Sequence, residues 1–196
     1  MYVYVDTPAA LERLLSRVQH TQRVALDIEA NSLYRYFLRV CLIQLTFEGE
    51  TWIVDPLSEL DLSPLLEVLA DKPLFLHGGD YDLRMMRTSL EFQPRREVFD
   101  TMLAAQVLGC DQLGLVALAE RYLGVRLSKH SQKSNWAQRP LAAKQLAYAA
   151  DDTRFLEPLA EKLGAELEAL GRVAWHREMC ARMVASASYG EPAEPR

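Results

Sequence analysis

The sequence is short of several things. Its 196 residues hold only three cysteines, Cys41, Cys110 and Cys180, far apart and odd in number. That excludes a disulfide-stapled scaffold, and no cysteine or histidine spacing suggests zinc; the thiols read as reduced and the chain as cytoplasmic. No apolar run approaches the roughly 20 residues of a membrane span. The opening MYVYVDTPAALERLL lacks a basic segment followed by an apolar one, so no secretory leader and no membrane partner are expected. Repeats are absent, and no shift in composition marks a second domain. Positive charge is also scarce, with 22 Lys and Arg against 27 Asp and Glu for a net charge of −5. This excludes a protein that coats long nucleic acids by charge alone, though not an enzyme that grips a few nucleotides. Acids, in turn, are missing between Glu120 and Asp151, where Arg121, Arg126, Lys129, Lys133, Arg139 and Lys144 all fall. That stretch reads either as a solvated face or as a local phosphate-binding patch.

What is present is a globular pattern, 49% hydrophobic and 25% charged. YVYV reads as a strand, and Thr7-Pro8 opens a helix with an apolar stripe at Leu11, Leu14, Leu15 and Val18. VALDI, VCLIQLTF and TWIVD read as strands, the last two joined by a hairpin at EGE. Ser63-Pro64 starts a helix, LFLH is a short buried strand, and GGD feeds a helix near residues 81–88. From Thr101 the pattern is helical, with one helical region from Leu141 to about Leu170 and a last helix after it. A single domain over 1–186 follows, its core at about 20–165 and its C-terminal helix at about 165–186, with a frayed tail over 187–196. Strands that meander and then alternate with helices imply an α/β fold with a mixed central sheet flanked by helices.

Inside the strand VALDIEA sit two acids, Asp27 and Glu29. Residues i and i+2 of a strand leave on one face, so these carboxylates crowd each other, and burial makes their joint ionisation harder still. Asp82 lies just past the strand LFLH, Asp152 on a late helix, and Tyr148 four residues before it on the same helical face. Singly, these have plain readings: a helix cap for Asp82, a surface contact for the Tyr–Asp pair.

Together, Asp-x-Glu on a strand, an Asp at a strand-to-helix junction and Tyr-x-x-x-Asp on a late helix resemble the DEDD superfamily of 3′–5′ exonucleases. The resemblance is to its tyrosine subclass, and within that to ribonuclease D-like catalytic domains. It runs from about Val24 to Leu159 and includes DIEANSLYRYFLRVCLIQL, LHGGDYDL, VFDTMLAA and the stretch from LGLVALAERYLG to LAYAADDTRFL. It implies a ribonuclease H-like fold and two divalent cations, Mg²⁺ or Mn²⁺, about 3.5–4 Å apart. By this resemblance Asp27 bridges both ions, Glu29 and Asp152 hold the one that activates water, and Asp82 supports the other. Tyr148 orients water and phosphate, since a phenol that titrates near ~10 is a poor base at neutral pH. The spacing from His77 selects Asp82 over Asp80, a candidate cap, and the spacing from Tyr148 selects Asp152 over Asp151, a solvated neighbour or helper.

Candidates for substrate binding are His77, Gln44, Lys129, Lys133 and Trp136. His77 and Gln44 read equally as core residues, and Trp136 either stacks on a base or anchors its loop. The implied activity is a 3′–5′ exoribonuclease acting on single-stranded RNA 3′ ends and releasing nucleoside 5′-monophosphates. The sequence leaves no room for the C-terminal helical domains of longer relatives, and with its negative charge this suggests short oligoribonucleotides; a homo-oligomer, as in some small relatives, stays open. The alternatives are a DNA exonuclease of the same chemistry and a non-catalytic nucleic-acid-binding module.

Overall fold

A computed structural model describes residues 2–31, 39–127 and 134–189. Strand β1 (Tyr2–Val5) leads into α1 (Pro8–Val18), where the Thr7 hydroxyl accepts the Ala10 amide at 3.3 Å and Pro8 takes the first helical position. Strands β2 (Val24–Ala30), β3 (Val40–Phe47) and β4 (Glu50–Val54) form the meander. Glu48 and Gly49 close the β3–β4 hairpin with φ of 50° and 77°, the doubly positive turn whose twist matches that of the strands. A 3₁₀ turn (Pro56–Ser58), α2 (Ser63–Ala70), β5 (Leu74–Leu76), α3 (Asp80–Leu90) and β6 (Val98–Asp100) follow. Helices α4 (Thr101–Leu108), α5 (Leu115–Leu123), α6 (Ala143–Arg154), α7 (Leu156–Ala169) and α8 (Val173–Tyr189) complete the described chain. Among these residues no helix is long and apolar enough to cross a membrane.

The six strands lie in the order β1-β4-β3-β2-β5-β6, with β3 antiparallel to both of its neighbours and the other pairings parallel. Side chains alternate between two faces. One face carries Leu26, Ile28, Ile43, Leu45, Phe47 and Val54, which pack on Leu14 of α1, Leu65 of α2, and Leu83 and Met86 of α3. The other carries Asp27, Glu29, Leu42, Gln44, Thr46, Thr51 and Ile53 beneath α6, whose Ala149 and Ala150 meet Leu42 and Ile53. Two alanines at the contact let the helix lie close to the sheet. A third cluster joins α4, α5 and α7 through Ala104, Leu118, Leu159 and Leu163.

Three details depart from the sequence reading. Strand β6 is an element of its own, three residues long and too short for a periodicity signal. The helical region after Leu141 is interrupted at Phe155, which ends α6 with φ −103° and ψ 0° before α7 begins. Helix α8 continues through Tyr189, past position 187 where the composition suggests fraying, and residues 190–196 lie outside the described residues.

Candidate active site

Asp27 and Glu29 sit at successive same-face positions of β2, opposite Gln44 and Leu42 of β3. Just beyond, the register slips: Glu29 pairs with Leu42 but Ala30 pairs with Val40, so Cys41 is the extra residue of a β-bulge. A bulge of this kind bends its strand and re-aims the neighbouring side chains. Here it turns Cys41 towards the α6 side together with Leu42.

Helix α6 brings the third acid. Carboxylate oxygens of Asp27, Glu29 and Asp152 all lie within 4.8 Å of one another. The helix is held by what surrounds it. Thr153 is fully buried and its hydroxyl meets that of Thr46 at 2.8 Å, while Thr46 also contacts Thr51 at 2.9 Å. Gln145 folds back so that its Oε1 accepts the Ala142 amide at 3.0 Å at the helix start. The preceding loop is clamped by Arg139, which donates to both Asp55 oxygens at 2.6 and 2.7 Å and to the Cys41 and Trp136 carbonyls at 2.9 and 2.8 Å. Tyr4 adds a hydroxyl bond to Asp55 at 2.6 Å. Trp136 is 2% exposed, with its ring centroid 6.1 Å from that of Tyr148. The tryptophan thus anchors the loop and backs Tyr148, and it offers no open face to a base.

Asp82 comes from the first turn of α3 and is buried. The two glycines before the helix make this possible. Gly78 has φ +67°, and a Cβ on Gly79 would fall 2.5 Å from Cδ1 of Leu76. The Gly79 amide donates to Asp100 at 2.8 Å, and Asp100 also caps α4 through the Leu103 amide at 2.9 Å. Asp80 does not cap the helix; Gly79 holds that position, and Asp80 pairs with Arg84 one turn on at 2.7 Å. Asp151 likewise pairs with Arg154 at 3.1 Å.

His77 is half-buried, with Nδ1 2.9 Å from the Thr101 hydroxyl. That hydroxyl already gives its proton to the Leu76 carbonyl at 3.0 Å, so Nδ1 must be the donor and Nε2 is left as an acceptor. Burial lowers the pKa of the ring and keeps it neutral. Gln44 is fully buried and so touches no solvent-borne substrate. Lys129 and Lys133 lie outside the described residues. Within the rest of the basic stretch, Arg139 is engaged with Asp55 and Arg126 with Glu120 at 3.0 Å, while Arg121 and Lys144 are exposed.

The acids answer to one another electrostatically. Burial pushes Asp27 up to about 7. Burial first, then Asp27, Asp152 and Asp82, push Glu29 up to about 10. Burial and Asp27 raise Asp152 to about 8, partly offset by the Tyr148 hydroxyl. Asp82 is held well above its ordinary range, by burial and then by Asp27. Burial and the neighbouring carboxylates Asp152, Glu29 and Asp27 push the Tyr148 phenol up, away from any role as a base at neutral pH. Among the described residues no ion pair offsets Asp27, Glu29 or Asp152. Three hard oxygen donors so close, each resisting a charge that nothing nearby balances, form a set that suits a divalent cation.

A mixed sheet with converging carboxylates at its centre, sealed by a helix that contributes Tyr148 and Asp152, defines a 3′–5′ exonuclease domain. The family model of the 3′-5′ exonuclease matches residues 2–168, and the chain belongs to that family. More particularly, it is a ribonuclease D-like domain. It is 36% identical to ribonuclease D of Escherichia coli over 174 residues, 87% of this chain and 46% of that protein. It is 34% identical to ribonuclease D of Zymomonas mobilis over 190 residues, 94% of this chain and 48% of the other. The chain thus spans about half the length of these relatives. The crystal structure of the Escherichia coli enzyme, described as an exoribonuclease involved in structured RNA processing, superposes with a TM-score of 0.89 at 31% identity, over 97% of this chain and 52% of that one. Brucella melitensis NrnC bound to pGG shares the fold, with a TM-score of 0.81 at 24% identity over 95% of this chain and 92% of that one. The ribonuclease H-like architecture expected from the sequence is therefore the one observed.

The sequence reading missed the groups that hold the site together. Asp55 ends a strand as an ordinary-looking acid, and its partner Arg139 stands in a run of cations that reads as a surface feature. The one available signal was in β3, where Gln44 and Thr46 place polar groups at i and i+2 in an otherwise apolar strand, on the face that carries the acids.

Proposed function

We propose that this domain is a metal-dependent 3′–5′ exoribonuclease that removes nucleoside 5′-monophosphates one at a time from single-stranded RNA. The observation that carries this reading is the cluster of Asp27, Glu29 and Asp152 with its unbalanced charge. Asp27, Glu29 and Asp152 hold the cations, Mg²⁺ or Mn²⁺, and Asp82 supports them from the rim of the cluster. Divalent ions bound there would supply Lewis-acid chemistry, a lowered pKa for a water and charge neutralisation at the scissile phosphate. Tyr148, kept protonated by its acidic neighbours, donates a hydrogen bond that orients the water and the scissile phosphate. Water gives up a proton to the solvent as its oxygen bonds to phosphorus; the bond to the 3′ oxygen breaks, and that oxygen takes a proton from the solvent to end as the hydroxyl of the shortened RNA. The acceptor Nε2 of His77 suits a sugar hydroxyl, which would bias the site towards a free 3′ end.

A preference for short oligoribonucleotides follows from charge. The chain carries −5 overall, and of its basic stretch Arg126 and Arg139 are already paired within the protein. The exposed Arg121 and Lys144 are left to meet phosphates, and Lys129 and Lys133, which lie outside the described residues, are the sequence candidates to join them. Brucella melitensis NrnC, which shares this fold, is described bound to pGG.

The test is mass analysis of products from a 5′-labelled RNA ladder with Mg²⁺ or Mn²⁺. Stepwise loss of 5′-mononucleotides from a 3′-hydroxyl, blocked by a 3′-phosphate and by EDTA, is expected. Full activity in excess chelator overturns the metal reading. Faster cutting of matched DNA assigns the same chemistry to a DNA exonuclease instead, and strong preference for long structured RNA overturns the short-substrate reading alone. Neutralising Lys129 and Lys133 together should flatten the salt dependence of binding by about one counterion per lost contact.

A further inference from the structure

Gln44 is the anomaly of the site. It is fully buried at the centre of β3, and neither its Nε2 nor its Oε1 has a hydrogen-bonding partner among the described residues. Buried amides are almost always bonded, so a bare one beside an active site calls for an explanation. Its surroundings narrow the choice. Directly across the antiparallel register stands Asp27, on the same face and with Cβ atoms about 4.5–5.5 Å apart as in any such pair. Across the other edge stands Ile53, and along the strand stand Leu42 and Thr46. Ile53 and Leu42 are apolar, and the Thr46 hydroxyl is already engaged by Thr51 and Thr153. Among these neighbours, the group with free acceptor capacity is the Asp27 carboxylate, which has room for about four hydrogen bonds.

We infer that Gln44 is a positioning residue for the acid cluster, its buried amide donating to the Asp27 carboxylate through one enclosed water and fixing which oxygen is presented to the cation. This rests on the metal reading of the cluster given above. The amide keeps Asp27 from turning away when the cluster is charged, and it does so without adding charge of its own. A cation in its place would neutralise the cluster and compete with the metal. An apolar residue would leave the carboxylate free to rotate. Partners of this kind to a metal-binding carboxylate commonly change metal affinity by roughly 10–100-fold.

The experiment is Mn²⁺ binding without substrate, followed by electron paramagnetic resonance, alongside thermal melting of the metal-free protein. Gln44→Met keeps the volume and removes the bare amide. The expected result is a Kd for Mn²⁺ raised roughly 10-fold or more, with the metal-free Tm kept within about 3 °C or raised. Trp52→Phe removes another buried unpartnered donor, on the opposite face of the sheet, and should leave the Mn²⁺ Kd unchanged. Wild-type Mn²⁺ affinity in Gln44→Met overturns the inference. So does loss of the metal-free fold in that variant, which would make the amide a structural strut. If the wild type itself binds no Mn²⁺, the metal reading fails first, and the two failures are told apart by the wild-type titration alone.

Discussion

Buried carboxylates of two kinds stand in this protein, Asp55 just past β4 and the cluster of Asp27, Glu29 and Asp152 on β2 and α6, and they are treated in opposite ways. Asp55, at the end of β4, is desolvated, yet the Arg139 fork, the Tyr4 hydroxyl and the Leu57 amide hold it below its ordinary range. Asp27, Glu29 and Asp152 are desolvated too and receive no such compensation, so their pKa values rise. Burial alone therefore does not mark a functional acid. A buried acid with its counter-charge built in is a structural joint, whereas a group of acids without one is a site that waits for a cation.

The comparison can be broken most severely by removing one charge from each group. Asp27→Asn should lower kcat roughly 10³-fold or more, since metal stabilisation of the transition state is worth several kcal/mol. The metal-free Tm should stay the same or rise, because a like-charge cluster is relieved. Arg139→Met should do the reverse. Leaving Asp55 buried without its counter-charge should cost about 3 kcal/mol of stability. A calorimetric scan should show Tm down by roughly 6–12 °C for a chain of this size. If Asp27→Asn melts lower and Arg139→Met does not, the distinction between the two groups is wrong.

A smaller effect sharpens the role of Tyr148. Tyr148→Phe should reduce the single-turnover rate roughly 10²-fold, the range of a positioned catalytic group. Because the phenol titrates far above neutrality, the wild-type pH–rate profile should show no limb that the variant lacks. Loss of such a limb would make the tyrosine a base.

The smallest effect is the pH dependence of the metal-free fold. Carboxyls whose folded pKa values are raised keep protons that the unfolded chain has lost, so the stability they leave is fullest below about pH 4 and declines as pH rises through their folded values. Asp27, Asp152 and Glu29, at about 7, 8 and 10, place the decline between roughly pH 4 and 10. Urea denaturation at stepped pH should follow that slope in EDTA, and saturating Mg²⁺ should flatten it. A slope that Mg²⁺ leaves unaltered would show that the ion does not meet these groups.

Much of this was legible in the residues. The period-2 placement of Asp27 and Glu29 and the four-residue step from Tyr148 to Asp152 are local rules, and local rules survive folding. The strands of the meander were legible because β3 is apolar on both faces apart from Gln44 and Thr46. What sequence did not disclose was long-range pairing. Trp136, a plausible stacking ring amid cations, is packed on Tyr148, and Arg139 crosses to Asp55, 84 residues earlier. Asp80 resembles a cap, but Gly79 occupies that position because only a residue without Cβ fits against Leu76. Strand β6 was hidden for another reason: three residues between helices carry no period.

The bond between Thr46 and Thr153 joins residues 107 positions apart, and it has a bearing on how the protein is made. The meander is translated early, but the lid over its acidic face is not available until α6 has left the ribosome. Closing α6 over that face is a contact of long sequence separation, the kind that carries a loop-closure cost. A chain cut before Ala143 keeps Asp27 and Glu29 but has neither Tyr148 nor Asp152 to complete the cluster.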